Sequence, residues 1–499
     1  MKRTAIIGLT LPPREPGIPA YRWLYTALRQ AILQGRLRPG IRLPATRDLA
    51  AQYQLSRGTI VNAFEQLKSE GYAEGTIGSG TYVSKVLPEQ LLHAERISRS
   101  HPPVPHRPAR RLTGFALRVR PFPSLEVRPT RAFRANIPAL DAFPTTLWAQ
   151  VTARRWRRAS TNFLLGCGPM GYRPLRDAVA DYLTASRGVK CVSEQIAIVS
   201  GVQEALDLVA RIFLNPGDKV SMESPGYIGA AAVFKAVRAT VCSLPVDNQG
   251  MMLKESGLRG SRLVYVTPAH QFPLGITMSL SRRLELLEWA RKAGALIFED
   301  DYDSEYRYSG RPIPALQGLD RNGQVLFAGS FSKVLFPSLR LGYLVVPEDL
   351  VGRFSATKSV TSRHPPLLEQ TVLCDFIREG HFGRHLRRMR ELYAERWSVL
   401  MECAREDLPG LLEISNVEAG LQTVGWLAPG IDAKSAVQAA STRNVEVIPL
   451  NFYAQGRVRR HGLQLGFAAV PPQEIRRGVR ELALVLERER TRCQRHLRH

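Results

Sequence analysis

The segment "GSFSKVLFPSLRLGY", Gly329 to Tyr343, sets Ser330, Ser332 and Lys333 behind an apolar run and places Arg340 seven residues on. Serine hydroxyls and a guanidinium can hold a phosphate by charge-assisted hydrogen bonds, and a lysine at the end of a buried strand can form a Schiff base. Two further segments bear on the same chemistry. "AIVSGVQEALDLVARIF" runs a strand, Ile196 to Val199, through Ser200-Gly201 into a helix, and a helix N-terminus with glycine at the turn leaves amides free for a phosphate. "ALIFEDDYDSEYRY" ends an apolar strand, Ala295 to Phe298, in carboxylates and tyrosines. Taken alone it reads equally as a strand with a solvated acidic tail, but strand ends are where α/β proteins place their chemistry. A carboxylate there can pair with a pyridinium nitrogen, and the three segments together point to pyridoxal 5'-phosphate (PLP).

Positioning such a set takes a large α/β unit, and 499 residues allow one with room for a second domain. No run of apolar residues is long enough to span a bilayer, and the opening "MKRTAIIGLTLPPREPG" is cut by Pro12 and Pro13 too early for a signal peptide. The six cysteines show neither paired spacing nor a neighbouring histidine cluster, so no disulfide framework and no metal site is expected, and a reducing cytoplasm fits. The net charge of +25 predicts attraction to a polyanion.

The first eighty residues show where that polyanion would sit. "YRWLYTALRQAIL" puts Trp23, Leu24, Ala27, Leu28, Ala31 and Ile32 on one helical stripe. A short helix near Thr46 to Gln52, a turn through Tyr53 to Leu55 and a second helix capped by Ser56, with Ile60, Val61, Phe64 and Leu67 sharing a face, describe helix-turn-helix. The glycine-rich "AEGTIGSGTYVS" then reads as a hairpin wing. Arg57, Thr59 and Asn62 are left outward at the end of the second helix that meets base edges, while Ser56, Arg42, Arg47 and the wing residues Gly78, Ser79 and Thr81 are candidates for backbone contacts. From Lys85 to Arg134 the chain is rich in Pro and Arg, with eleven basic residues against three acidic ones, and reads as an extended connector that could add sequence-independent DNA affinity.

"LPATRDLAAQYQLSRGTIVNAFEQLKSEGYAEGTIGSGTYVS" resembles the winged helix-turn-helix of the GntR superfamily. Over roughly Pro138 to Val485 the chain resembles the fold type I aminotransferases. That resemblance implies Lys333 as the internal aldimine, Asp300 on the ring nitrogen, Tyr302 on the phenolic oxygen and Tyr227 of "ESPGY" stacked on the ring. It also implies Gly201, Val202, Gln203, Ser330, Ser332 and Arg340 around the phosphate, with His270 or Gln271 of "TPAHQFPLG" where an asparagine is usual. The fused arrangement is similar to the MocR/GabR family of bacterial transcription regulators. It implies a multidomain chain: a winged helix-turn-helix over 15–85, mostly α with a β wing, a basic linker over 86–130 and a large α/β PLP-dependent transferase fold type I domain over 131–490. It further implies a cytoplasmic homodimer that binds double-stranded operator DNA and senses PLP or an amine effector, without a membrane and without ordinary turnover.

Three departures shape that expectation. Gly166 of "GCGPMGYRPLR" stands where relatives carry a tyrosine that reaches a neighbour's phosphate, Gly229 stands two places after Tyr227 where the GABA-responsive regulator has arginine, and Gln464 of "HGLQLGFAAV" stands where transaminases clamp an α-carboxylate. Loss of both arginines disfavours α- and ω-amino acids as effectors and makes PLP itself the first expectation, with Arg363 of "TSRHPP" able to restore a clamp. A true aminotransferase carrying a DNA module, and a DNA-binding protein whose large domain is only a dimerisation scaffold, are the rival readings.

Overall fold

The computed structural model describes residues 9–76, 80–87, 111–121, 129–308, 314–456, 458 and 460–496. Gly78, Ser79 and most of the expected linker lie outside them. The chain divides into two compact units, Met1–Arg110 and Arg111–His499.

In the first unit α1 (Ala20–Leu33), α2 (Thr46–Gln52) and α3 (Arg57–Ser69) precede β1 (Ala73–Thr76) and β2 (Gly80–Val83), which pair antiparallel. The stripe of α1 is buried at Leu24, Ala27, Leu28, Ala31 and Ile32, with Trp23 half-buried at its border. On α3 the buried set is Ile60, Ala63, Phe64 and Leu67, which corrects the expected face: Val61 is 38% exposed. One residue turns a helix by about 100°, so the face through Ile60 and Phe64 continues at Ala63 and leaves Val61 beside Asn62 on the outside. Ser56 caps α3, its Oγ accepting the Thr59 amide at 3.1 Å.

The large unit is built on an eight-stranded sheet. Its strands are β3 (Ile196–Val199), β4 (Lys219–Ser224), β5 (Thr240–Asp247), β6 (Gly250–Met251), β7 (Ser261–Val266), β8 (Leu296–Asp301), β9 (Val325–Ser330) and β10 (Gly342–Val345), in the order β3-β10-β9-β8-β7-β4-β5-β6. Parallel pairing joins β9, β8, β7, β4 and β5, while β10 runs antiparallel between β3 and β9. The strands are apolar on both faces because both faces are covered: Ile196 and Ile198 enter one core, Ala197 and Val199 another. A second, antiparallel sheet holds β11 (Leu412–Ile414), β12 (Gln422–Leu427), β13 (Ile448–Pro449) and β14 (Gly462–Gly466) in the order β11-β12-β14-β13. The helices His381–Asp407 and Pro472–His496 pack beside each other in this unit.

The acidic burst after Phe298 is not a solvated tail. Strand β8 runs on through Asp301, and Glu299, Asp300, Asp301, Asp303 and Glu305 are all buried. The register holds them there, because Asp300 and Asp301 stand opposite Ala328 and Gly329 of β9. Alternation sends Asp300 and Asp301 to opposite faces, and Asp301 is taken by Arg187 at 2.8 Å.

Because β10 enters between β3 and β9, Gly342 faces both Val199 and Ser330. A Cβ at Gly342 would stand 2.7 Å from the Gly329 carbonyl oxygen and 3.3 Å from the Gly201 Cα. Gly342→Ala should therefore lower the stability of the large unit by about 1–3 kcal/mol in denaturant unfolding. An unchanged midpoint would contradict this close approach.

Candidate functional site

The carboxyl ends of β3, β4, β7, β8 and β9 share one edge of the sheet. At β3 the chain turns at Gly201, φ 122°, into the helix Val202–Phe213. Glu204 closes this turn from inside the helix by accepting the Ser200 amide at 2.6 Å, and fully buried Lys358 and exposed Ser362 fix Glu204 at 2.5 and 2.6 Å. Arg340 lies against the turn, its guanidinium 3.7 Å from where a Gly201 Cβ would stand. It is exposed, and among the described residues its side chain has no hydrogen bond or ion pair. Ser330 accepts the Ser332 amide at 3.2 Å, and Gln203 reaches the Tyr227 hydroxyl at 3.3 Å. Helix amides at Val202 and Gln203 and the Arg340 guanidinium meet at Gly201, with Ser330 close by across Gly342, a donor set that suits a phosphate dianion.

On the neighbouring strands Tyr265 donates to Asp300 Oδ2 at 2.6 Å, while Asp300 Oδ1 is buried without a partner. Burial pushes this carboxyl up to about 7, opposed by the Tyr265 hydroxyl. The orphan oxygen is the observation that fits a pyridine ring: a cationic N–H beside it would pair it and favour the carboxylate. Lys333 donates to the Asn136 carbonyl at 2.7 Å. The residue as a whole is half-buried, but its amine lies deep enough that burial lowers it to about 8, against the pull of Asp303 and Asp300. Such an amine is far easier to find neutral, as a nucleophile must be, than an ordinary lysine.

Tyr227 opens the helix Ile228–Ala236 and packs edge-on to Phe272, with ring centroids 5.9 Å apart. Gly229 is buried beneath it: a Cβ there would stand 2.5 Å from the tyrosine ring. His270 meets Asp303 at 2.8 Å and the Tyr302 hydroxyl at 3.0 Å, its ring 5.7 Å from that of Tyr302. Gln271 is engaged elsewhere, its amide bound to Glu223, to the Pro225 and Phe272 carbonyls and to the Leu274 amide. The structure thus brings His270 to Tyr302 and keeps Gln271 in its own turn. At Gly166, φ 99°, a Cβ would stand 2.8 Å from His364, whose ring accepts the Cys167 amide at 3.3 Å. Arg363 is exposed, with no side-chain hydrogen bond or ion pair among the described residues.

Sequence reasoning missed Tyr265, Asp303, Asn136 and Gln422. A tyrosine inside the otherwise apolar "LVYV" is itself a signal, since a buried hydroxyl needs a partner. Asn136, at φ 65°, and Gln422, whose Oε1 accepts the Asn136 amide at 3.0 Å, come from distant segments, and no local spacing ties them to Lys333. In the first unit Arg42, Arg47, Ser56, Arg57 and Asn62 are exposed and Thr59 and Thr81 half-buried. Arg42 stands against the wing, its Nε 2.7 Å from where a Gly80 Cβ would be.

A folded-state value of about 7 for Asp300 lies above the ordinary carboxylate value, so the folded chain binds its proton more tightly and the cost of burying the charge grows as pH rises. Asp300→Asn keeps an acceptor for Tyr265 and removes that cost. Cofactor-free Asp300→Asn should be more stable than wild type by a margin that grows between about pH 4 and 7 and is flat above, read as thermal midpoint against pH. A margin independent of pH would contradict the buried charge.

Residues 20–83 match the family Bacterial regulatory proteins, gntR family, and residues 133–482 match the family Aminotransferase class I and II. The chain is 39% identical to a probable rhizopine catabolism regulatory protein MocR of Rhizobium meliloti over 94% of both chains. It is 28% identical to the HTH-type pyridoxine biosynthesis transcriptional regulator PdxR of Corynebacterium glutamicum over 96% of this chain and 98% of that one. Among solved structures, a multiple substrate aminotransferase from Thermococcus profundus superposes with a TM-score of 0.69 at 29% identity, covering 76% of this chain and 98% of that one. A gntR-family helix-turn-helix and a class I and II aminotransferase fold in one chain, shared end to end with MocR, place this protein among the bacterial regulators of the MocR/GabR type.

Proposed function

We propose that this chain is a PLP-dependent transcription regulator in which the first unit binds double-stranded operator DNA and the aminotransferase-like unit senses PLP or an amine. The observation that carries the sensor reading is the orphan Oδ1 of Asp300 on the same strand-end edge as the lowered amine of Lys333 and the unpaired guanidinium of Arg340. Lys333 would hold the cofactor covalently, Asp300 its ring nitrogen and the Gly201 turn its phosphate, with Tyr302 and Tyr227 lining the ring. When bound, PLP would supply an electrophilic carbonyl carbon able to capture primary amines. The chain's own residues would orient that carbon and exclude water from it.

Sensing rather than turnover follows from what the site lacks. Gly229 leaves the space beside Tyr227 to the ring itself, and buried Gln464 carries no charge. An α- or ω-carboxylate would enter without a guanidinium from either position. The name of the PdxR relative accords with PLP itself as an effector, and a homodimer suits repeated half-sites in DNA. Leu164, Leu165 and Val360 are exposed apolar side chains within a few residues of the Gly166–His364 contact, as a face meeting a second copy would require.

Incubation with PLP should give wild type a visible absorption band that Lys333→Ala lacks while keeping its far-UV spectrum; an equal band in both would refute the tether. For the DNA unit, Arg57→Ala should weaken operator binding by about 1–3 kcal/mol and binding to random DNA much less. Equal losses on the two DNAs would make Arg57 a backbone contact instead.

A further inference from the structure

Resting on the reading that Lys333 holds PLP, we propose that Gln422 and Gln464 form an uncharged clamp. It selects amines whose second recognition group is a neutral oxygen acceptor, a hydroxyl, ether or carboxamide, over amino acids with a carboxylate. Gln422 of β12 stands opposite Gly466, and Gln464 of β14 opposite Val424, so the two side chains lie on one face of the second sheet as diagonal neighbours. They are 2% and 0% exposed. Each has its oxygen engaged, Gln422 Oε1 by the Asn136 amide at 3.0 Å and Gln464 Oε1 by the Tyr453 hydroxyl at 2.6 Å. Each also has a buried Nε2 with no hydrogen bond of good geometry, that of Gln422 lying within reach of the Tyr302 hydroxyl.

Both amides adjoin the site. The same Asn136 that holds Gln422 accepts the Lys333 amine at 2.7 Å, and Gln422 neighbours the Tyr302 hydroxyl. Tyr453, which holds Gln464, packs on Phe272 with centroids 5.0 Å apart, and Phe272 in turn packs on Tyr302 at 5.7 Å. Two buried donors aligned on one face call for an acceptor, and unpaired they are costly. The charges nearby decide which acceptor. Glu223, Asp300 and Asp303 are buried around the ring position, which welcomes an amine and repels an anion. A neutral oxygen can take both amide protons with no ionic desolvation cost, whereas a carboxylate would be taken from water with no guanidinium to meet it.

The test uses full-length, PLP-loaded protein and three probes on one skeleton: serinol, serinamide and serine. Two responses are read, the change in the visible band and the affinity for the DNA upstream of the gene. Serinol or serinamide should reach half-effect at a concentration at least about tenfold below that of serine. Gln464→Leu should erase that preference while keeping the band, and Gln464→Arg should turn it toward serine. A wild-type chain that takes all three equally, takes none, or prefers serine overturns the proposal, as does a preference that survives in Gln464→Leu. Failure of the band to form in wild type is a separate result, and it removes the cofactor reading itself.

Discussion

A carboxyl and an amine withdrawn from water at the same edge of a sheet set the terms for the rest of this molecule. Asp300 is held near 7 and Lys333 near 8, both by burial, and neither forms a direct ion pair with the other. Such groups are costly to bury, and a fold keeps them only where a surrounding core holds them in place. Here that core is the parallel sheet, whose strands are apolar on both faces up to the residue at which each delivers a polar group. Tyr265 on β7 anchors one oxygen of Asp300, Asn136 anchors the amine, and Gly342 lets β10 pass close enough to bring Arg340 to the Gly201 turn.

The parts that were legible in the sequence are those whose cause is local. The run Ile196–Val199, the turn at Gly201 and the cap at Ser56 announce themselves through apolar runs, glycine and capping chemistry, and all three stand as read. The apolar run alone ends strand β8 three residues early, because charged side chains argue against a buried strand, and only the cover supplied by Arg187, Tyr182 and the Leu421 amide beside the second sheet makes their burial tolerable. Val61 misleads because an apolar residue beside an apolar face looks like part of it. The contributions of Asn136, Gln422 and Tyr453 come from segments far apart in the chain, and no spacing rule connects them. Lys333, Asp300, Tyr302 and the Gly201 turn were chosen from motif and resemblance, and the structure does gather them at one edge.

The same edge shows why a scaffold of this kind can serve as a sensor. The large unit brings a glycine turn lined by donors, a buried carboxyl and a lysine to one edge, with the small second sheet beside them. Under the proposed reading, an amide at Gln464 in place of a guanidinium would change what is recognised without altering the Gly201 turn, since β14 is paired in the second sheet with β12 and β13 and not in the sheet that carries Asp300. A gntR-family unit in the same chain would give such recognition a DNA readout.

The central claim is that Lys333 is the covalent seat of the cofactor. It is tested most directly by borohydride reduction of the PLP-incubated full-length chain, followed by digestion and mass mapping. A phosphopyridoxyl adduct at Lys333, near one per chain, is the expected result. An adduct spread over surface lysines such as Lys190 or Lys292, with Lys333 unmodified, would contradict it.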